Sequence, residues 1–525
     1  MIYSNLSRSS IFLFLVPILL ISCSKPELEK KSNPNIIIVL ADDLGYGDIG
    51  AFNSESLIKT PHIDELASEG MMFTDAHTTS AVCTPTRYAL LTGRYNWRTK
   101  LKEGVLTGKS KALIASDRTT LGSMLQKQGY HTAMIGKWHL GMDWGLKEGE
   151  TFKPGGWNPE DYDQLDFNKP IENGPGTRGF DYSLALPASL DIAPYVYVEN
   201  NALTSIPTKT TIDQGEYSWW REGPTSVDFI HEQCTPVFFE KSMEYISEQS
   251  KMENPFFLFL ALPSPHTPIL PTKEWQGKSG MLPYADFMMM IDDYMGKLNQ
   301  AIKEAGIEEN TILIFTSDNG CSPAAGFEKM VEMGHYPSGP FRGHKADIYE
   351  GGHRVPTIVK WPSTIAKGTV NSTLISQVDF MATFAELTGY EMQDNEGEDS
   401  FSFLSQLNSD PSDDLEREGT VFHSVNGTFA IRKGDWKLIT SKGSGGWSFP
   451  RPGDSAQEGL PAMQLYNLAN DPAETQNLYP NERAKAEELE QLLVKYIQDG
   501  RSTEGAIQSN DSFDGEWIQT WFMKD

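Results

Sequence analysis

Only four of the 525 residues are cysteine, and no two of them form a CxxC pair. This excludes a disulfide-stapled scaffold and gives no ground for a structural zinc site. Positive charge is also scarce: 44 Lys and Arg face 71 Asp and Glu, for a formal net charge of -27. Nucleic-acid binding rests on cationic neutralisation of phosphates, so nucleic acid is not an expected partner. Such acidity mainly confers solubility, and any anion the chain binds must be met by a local basic pocket. No short internal period is present, which excludes a solenoid or propeller. With 39% hydrophobic and 22% charged residues, the composition is that of an ordinary globular protein.

The apolar run from Ile11 to Ile21, preceded by Arg8, falls short of a bilayer span, which needs roughly 20 residues. It has the length of a secretory h-region. Leu20-Ile21-Ser22-Cys23 resembles a bacterial lipobox, in which the cysteine is lipidated and becomes the first mature residue. Residues 1–22 are therefore expected to be a lipoprotein signal peptide and 23–34 a linker. The protein is expected to be exported to the periplasm or outer membrane, held there by its lipid anchor alone. An ordinary signal peptide cleaved nearby is the alternative. Cys234 and Cys321 remain as a pair that an oxidising compartment would join if their geometry allowed it.

Four apolar runs, Asn35–Leu40, Thr132–Ile135, Pro255–Leu262 and Thr311–Phe315, have the composition of buried parallel strands. Helical patterns at Ile63–Glu69, Leu121–Gln128 and Tyr284–Ala305 lie between them, which predicts a large, doubly wound, mostly parallel α/β sheet domain over 35–415. Residues from about 145 to 225, rich in Gly, Pro, Asn and Trp, are expected to be long loops over the sheet edge. A smaller C-terminal α+β subdomain is expected over 416–525, with short antiparallel strands at Val421–His423, Thr428–Arg432 and Trp436–Thr440. Its amphipathic helix, Arg483–Gln498, carries Leu489, Leu492, Leu493 and Ile497 on one stripe.

Polar residues follow each of the four strands: Asp42-Asp43, Lys137-Trp138-His139, His266, and Asp318-Asn319. Ligands of open α/β sheets bind beyond the carboxyl ends of the strands, so these side chains should share one rim. Asp42, Asp43, Asp318 and Asn319 offer only oxygen, which suits a hard cation such as calcium. Singly, each equally suits a turn or a helix cap. Cys83 opens Cys83-Thr84-Pro85-Thr86-Arg87, and Gly93 follows Leu91 by two positions. This spacing predicts a short helix with Cys83 at its N-terminus, a natural anion site with Arg87 on the same face. The helix start is expected to be exposed and to depress the thiol pKa.

Cys-x-Pro-x-Arg followed by Thr92-Gly93-Arg94 resembles the motif of the formylglycine-dependent sulfatases, within the alkaline phosphatase superfamily. The resemblance extends through Gly136-Lys137-Trp138-His139, Pro265-His266-Thr267-Pro268, Ser317-Asp318-Asn319-Gly320 and Arg342-Gly343-His344-Lys345 to Glu350-Gly351-Gly352-His353-Arg354. It implies that Cys83 is oxidised to formylglycine by a formylglycine-generating or anaerobic sulfatase-maturating enzyme. One hydroxyl of the hydrated aldehyde would attack sulfur, and the second would lose its proton as sulfate leaves. The resemblance further implies one Ca2+ held by Asp42, Asp43, Asp318, Asn319 and the residue-83 oxygen. Arg87 would hold the hydrated aldehyde, and His139 would contact the hydroxyl that collapses. Lys137 and Lys345 would bind sulfate, and His266 would protonate the leaving alcohol.

His344 and His353 flank these motifs as possible substrate contacts, and Trp219-Trp220 can either stack on sugar rings or anchor their loop. Many family members continue Asp-Asn-Gly with another glycine, whereas Cys321-Ser322-Pro323 follows here. Ser189-Leu190-Asp191 and Tyr195-Val196-Tyr197 resemble galactosamine-6-sulfatase-like members. The implied substrate is a sulfated poly- or oligosaccharide, either algal, such as ulvan, or a glycosaminoglycan. A phosphoesterase of the same superfamily and a non-catalytic glycan-binding lipoprotein are the competing readings.

Overall fold

The computed structural model describes residues 1–2, 33–408, 415, 417–513 and 515–523. The signal-peptide and lipidation expectations, Cys23 included, lie outside these residues. At the centre is a ten-stranded sheet ordered Thr369–Asn371, Met71–Phe73, Thr357–Lys360, Thr311–Ser317, Asn35–Ala41, Phe256–Ala261, His131–Lys137, Tyr182–Leu186, Val198–Glu199, Ala202–Leu203. From Thr311–Ser317 to Tyr182–Leu186, all neighbours pair in parallel. The four strands expected from the sequence are therefore adjacent in space.

Asn35–Ala41 illustrates why the sheet is doubly wound. Every residue of this strand is buried, and alternate side chains enter different cores. Ile37, Val39 and Ala41 pack with Ile63, Phe238 and Ile291, from three helices on one face. Ile36, Ile38 and Leu40 pack with Leu91, Leu125 and Phe384 on the other. The helices from which these partners come are Pro61–Glu69, Cys234–Gln249 and Pro283–Glu304, then Cys83–Thr92, Leu121–Lys127 and Phe380–Thr388.

The stretch expected to be loops carries more order than its composition predicts. Tyr182–Leu186 is a fifth parallel strand, with Leu184 opposite Ile135. Pro207–Asp213 and Trp220–Ser226 form an antiparallel hairpin. Neither has the long β-branched run that marks a central strand, and pairing with existing partners supplies what propensity does not.

A separate antiparallel sheet runs in chain order through Thr420–His423, Phe429–Lys433, Trp436–Ile439 and Gln464–Asn467. Helix Arg483–Asp499 lays Leu489 and Leu493 against Ile431, Leu438 and Leu465. Trp517 and Phe522 from the tail pack on the same cluster, with the Lys102 ammonium 4.0 Å from the Trp517 ring centroid. The acidic segment before this sheet also contributes to the interior. Asp399 pairs with Arg98 at 2.8 Å, both fully buried.

Candidate active site

The four parallel strand ends deliver their polar residues to one place. Asp42 and Asp318 are fully buried, and Asp43 is nearly so. One oxygen from each lies within 4.8 Å of the others. A carboxylate oxygen of Asp42, the Cys83 sulfur and a ring nitrogen of His266 also lie within 4.8 Å of one another. Gly136, at φ 116°, permits this crowding, because a Cβ there would lie 1.9 Å from the Ala261 carbonyl oxygen. All the residues singled out from the sequence as catalytic or metal-binding are buried, with His266 at 8% and Lys345 at 5% the most accessible.

Cations hold the acids in register. Lys137 Nζ donates to Asp42 Oδ2 at 2.5 Å, and Arg87 Nη2 donates to Asp318 Oδ2 at 2.8 Å. Lys345 Nζ lies 2.6 Å from Asp43 Oδ1, to which Asn319 Nδ2 also donates at 2.7 Å. Burial works against the Asp42 charge, but Lys137, His266 and Arg87 outweigh it and hold its carboxyl well below the usual range. Asp318 moves the other way, raised by burial and by the neighbouring Asp42. Asp42 Oδ1 and Asn319 Oδ1 are buried without a hydrogen-bond partner. Three crowded carboxylates and two orphaned oxygens make an environment that a hard cation would satisfy.

Cys83 begins helix Cys83–Thr92, whose first turn has no side-chain cap and whose end is Gly93 in the left-handed region at φ 63°. The helix is as expected, but its start is not exposed: Cys83 is 2% accessible. Burial raises the thiol pKa despite Lys137 and Lys345, so the helix dipole does not win here. An unmodified Cys83 is thus a poor thiolate nucleophile.

Burial disfavours the charged form of both candidate histidines. His139 is pushed well below its ordinary range by burial and then by Lys137. Its Nε2 meets the Leu106 carbonyl at 2.7 Å, so that nitrogen carries the proton, and the buried Nδ1 has no partner. His266 is lowered by burial and Lys345. Its Nδ1 faces the Thr267 carbonyl at 2.5 Å, which leaves Nε2 3.7 Å from Asp43 Oδ2.

Other candidates separate. His353 is fully buried, with Nδ1 3.0 Å from His77 Nδ1 and Nε2 3.0 Å from Lys437 Nζ, so it is structural and not a substrate contact. His77, Glu350 and His353 also cluster closely enough to hold a metal, but Lys437 and Arg432 already compensate Glu350. Trp220 stacks on His231 at 3.9 Å and anchors its hairpin, whereas Trp219 lies against the Arg221 guanidinium. Cys234 and Cys321 are free thiols, and Cys234 Sγ is engaged by Tyr197 Oη at 3.2 Å. Sequence reasoning did not place Asp191 in the site. Its buried Oδ1 has no partner and lies 3.9 Å from His266 Nδ1; no spacing in the chain signals that proximity.

A sequence profile of the sulfatase family matches residues 34–390. A second profile, N-sulphoglucosamine sulphohydrolase, C-terminal, matches 344–449. The chain is 32% identical over 502 residues to an N-acetylgalactosamine-6-O-sulfatase of Bacteroides thetaiotaomicron, covering 89% of this chain and 93% of that protein. It is 31% identical over 474 residues to human arylsulfatase A, covering 88% and 86%. A solved structure from a study of glycosaminoglycan metabolism by Bacteroides thetaiotaomicron superposes with a TM-score of 0.75 at 32% identity, covering 88% of this chain and 99% of that one. The fold alone is broader, because a phosphonate monoester hydrolase of Agrobacterium radiobacter superposes at 0.56 with 17% identity, covering 88% of this chain and 95% of that one. Profile and relatives both span most of the sequence, and the chain belongs to the sulfatase family.

Proposed function

We propose that this enzyme removes sulfate from a sulfated poly- or oligosaccharide of glycosaminoglycan type, using a formylglycine made from Cys83 and one calcium ion. The observation that carries this reading is the pair of partnerless buried oxygens, Asp42 Oδ1 and Asn319 Oδ1, set among carboxylates beside residue 83. The donors are all oxygen, so Asp42, Asp43, Asp318, Asn319 and the residue-83 oxygen fit calcium. Bound there, the ion supplies Lewis-acid polarisation of a sulfate oxygen.

The remaining chemistry falls to the chain's own side chains. Lys137 and Lys345 offset negative charge on the sulfate oxygens as the ester bond breaks. His266 protonates the leaving alcohol oxygen from Nε2 in its imidazolium form, because its Nδ1–H is held by the Thr267 carbonyl. His139, neutral and with Nδ1 unpaired, takes the proton from a hydroxyl on residue 83. Arg87 orients that residue. Low exposure throughout the site keeps competing water out.

The names of the relatives favour a 6-sulfated N-acetylgalactosamine unit. The N-terminal sequence supports an exported lipoprotein of the periplasm or outer membrane, matured by a formylglycine-generating or anaerobic sulfatase-maturating partner. The test is sulfate release from purified sulfated glycans and an aryl sulfate, beside phosphate release from matched phosphate esters. Sulfate release fastest from a glycan supports the proposal, because remote sugar contacts assist the chemical step. An aryl sulfate turned over far faster than every glycan sinks the carbohydrate assignment, and phosphate release without sulfate release sinks the chemistry.

A further inference from the structure

A cavity of about 760 Å³ opens beside the site, within the roughly 300–1,000 Å³ range of small-molecule pockets. One wall begins at Pro323, where Cys321-Ser322-Pro323 replaces the second glycine of many relatives. Ser322 Oγ accepts from Ala324 N at 3.3 Å, which starts the turn that leads through Gly326 into helix Phe327–Glu332. The opposite wall includes His344, one peptide away from Lys345. The cavity wall is thus joined through one peptide bond to the residue that would bind the sulfate.

We propose that the cavity binds the sugar next to the sulfated one, and that His344 Nε2 accepts a hydrogen bond from it. The proposal rests on the glycan sulfatase reading above. His344 Nδ1 lies 2.9 Å from the Lys345 carbonyl and 3.3 Å from Asp347 Oδ2. Both partners only accept, so Nδ1 carries a proton, and in that tautomer Nε2 is left as an acceptor. Phe327 packs edge-on to the ring, with centroids 5.3 Å apart, and fixes its plane. The rim offers Tyr336 and Phe449, exposed at 52% and 68%, as flat apolar faces for the C–H side of a sugar.

The charges of the lining define the class of occupant. Its two cations are engaged: Lys329 pairs with Glu216 at 2.5 Å, and Arg342 lies over the Tyr349 ring while donating to the Glu474 carbonyl at 2.9 Å. Glu216 and Glu328 balance these two cations, so the lining is formally neutral. With both cations engaged, the cavity suits an uncharged, hydroxyl- or acetamide-bearing sugar better than a second sulfate.

The test compares a sulfated monosaccharide with the oligosaccharide that carries it, in wild type, His344→Ala and His344→Gln, following kcat and KM for sulfate release. Wild type should prefer the oligosaccharide in kcat/KM. His344→Ala should lose roughly tenfold of that preference through KM, as for one lost hydrogen bond. His344→Gln, which keeps an acceptor, should recover part of it. Unchanged preference in His344→Ala overturns the proposal, and so does an equal fall in kcat on both substrates, which would mean that His344 only supports Lys345. Calorimetric binding of the desulfated oligosaccharide separates this proposal from the catalytic one. Weaker binding by His344→Ala and by the rim variant Tyr336→Ala sustains the cavity even if no ester is cleaved. Sulfate release with identical binding by all the proteins removes the cavity and leaves the sulfatase.

Discussion

Arg87 reaches a single oxygen of Asp318 twice, from Nε at 3.1 Å and from Nη2 at 2.8 Å. Its Nη1 meanwhile donates to the Lys137 carbonyl at 2.7 Å. One guanidinium thus ties the helix that starts at Cys83 to the ends of two strands. Replacing Arg87 with Ala leaves Asp318 buried without its cation and should cost about 3–5 kcal/mol. Turnover should vanish as well. A denaturation midpoint equal to wild type would mean that the tie is not structural.

Cys83→Ala should fold normally and release no sulfate, because only the reacting atom is removed from a buried helix start. Cys83→Ser should be nearly inactive, since the proposed maturation begins from a thiol. Intact mass of the peptide containing residue 83 gives the direct check. Wild-type rates from either variant, with an unmodified peptide, would refute formylglycine chemistry.

Calcium content and activity should fall together in Asp318→Ala, and chelation of the wild-type protein should stop turnover until calcium is restored. Stoichiometric zinc in elemental analysis would overturn the oxygen-ligand assignment. Loss of turnover at full calcium occupancy would show that Asp318 is no ligand.

Stability should fall on mild acidification. Burial lowers His231 and His423 to about 3, while the unfolded chain takes up protons near 6.5. The unfolded state therefore binds more protons between these values, and stability is lost as pH drops through that window. Each histidine should cost about 2 kcal/mol at pH 5 relative to pH 7 or above. His231→Phe, which keeps the stack on Trp220, should reduce the drop by one such share. An unchanged drop in urea denaturation would exclude His231 as a source.

Leu493 is fully buried between the C-terminal helix and its sheet. Leu493→Ala should destabilise by about 2–5 kcal/mol, from lost transfer energy and the cavity left behind. A thermal midpoint within a degree of wild type would show that this helix is dispensable.

The sequence determined the four central strands, because Asn35–Ala41 and its neighbours are buried on both faces and so consist of continuous apolar runs. It also determined the motif around Cys83, since Cys-x-Pro-x-Arg and Thr92-Gly93-Arg94 are contiguous in the chain. The order of the strands, which puts Asp318 beside Asp42, was left to the tertiary structure, because parallel pairing is made across long crossovers. The thiol pKa at Cys83 was also decided there: helix position predicts a fall, but enclosure by the surrounding fold raises it. Tyr182–Leu186 has too little β-branched character to be recognised as a strand and is one only because His131–Lys137 offers an edge. Asp191 reaches His266, and His353 is sealed against His77 and Lys437, for the same reason. Contacts between residues far apart in the chain are set by packing, which no local spacing records.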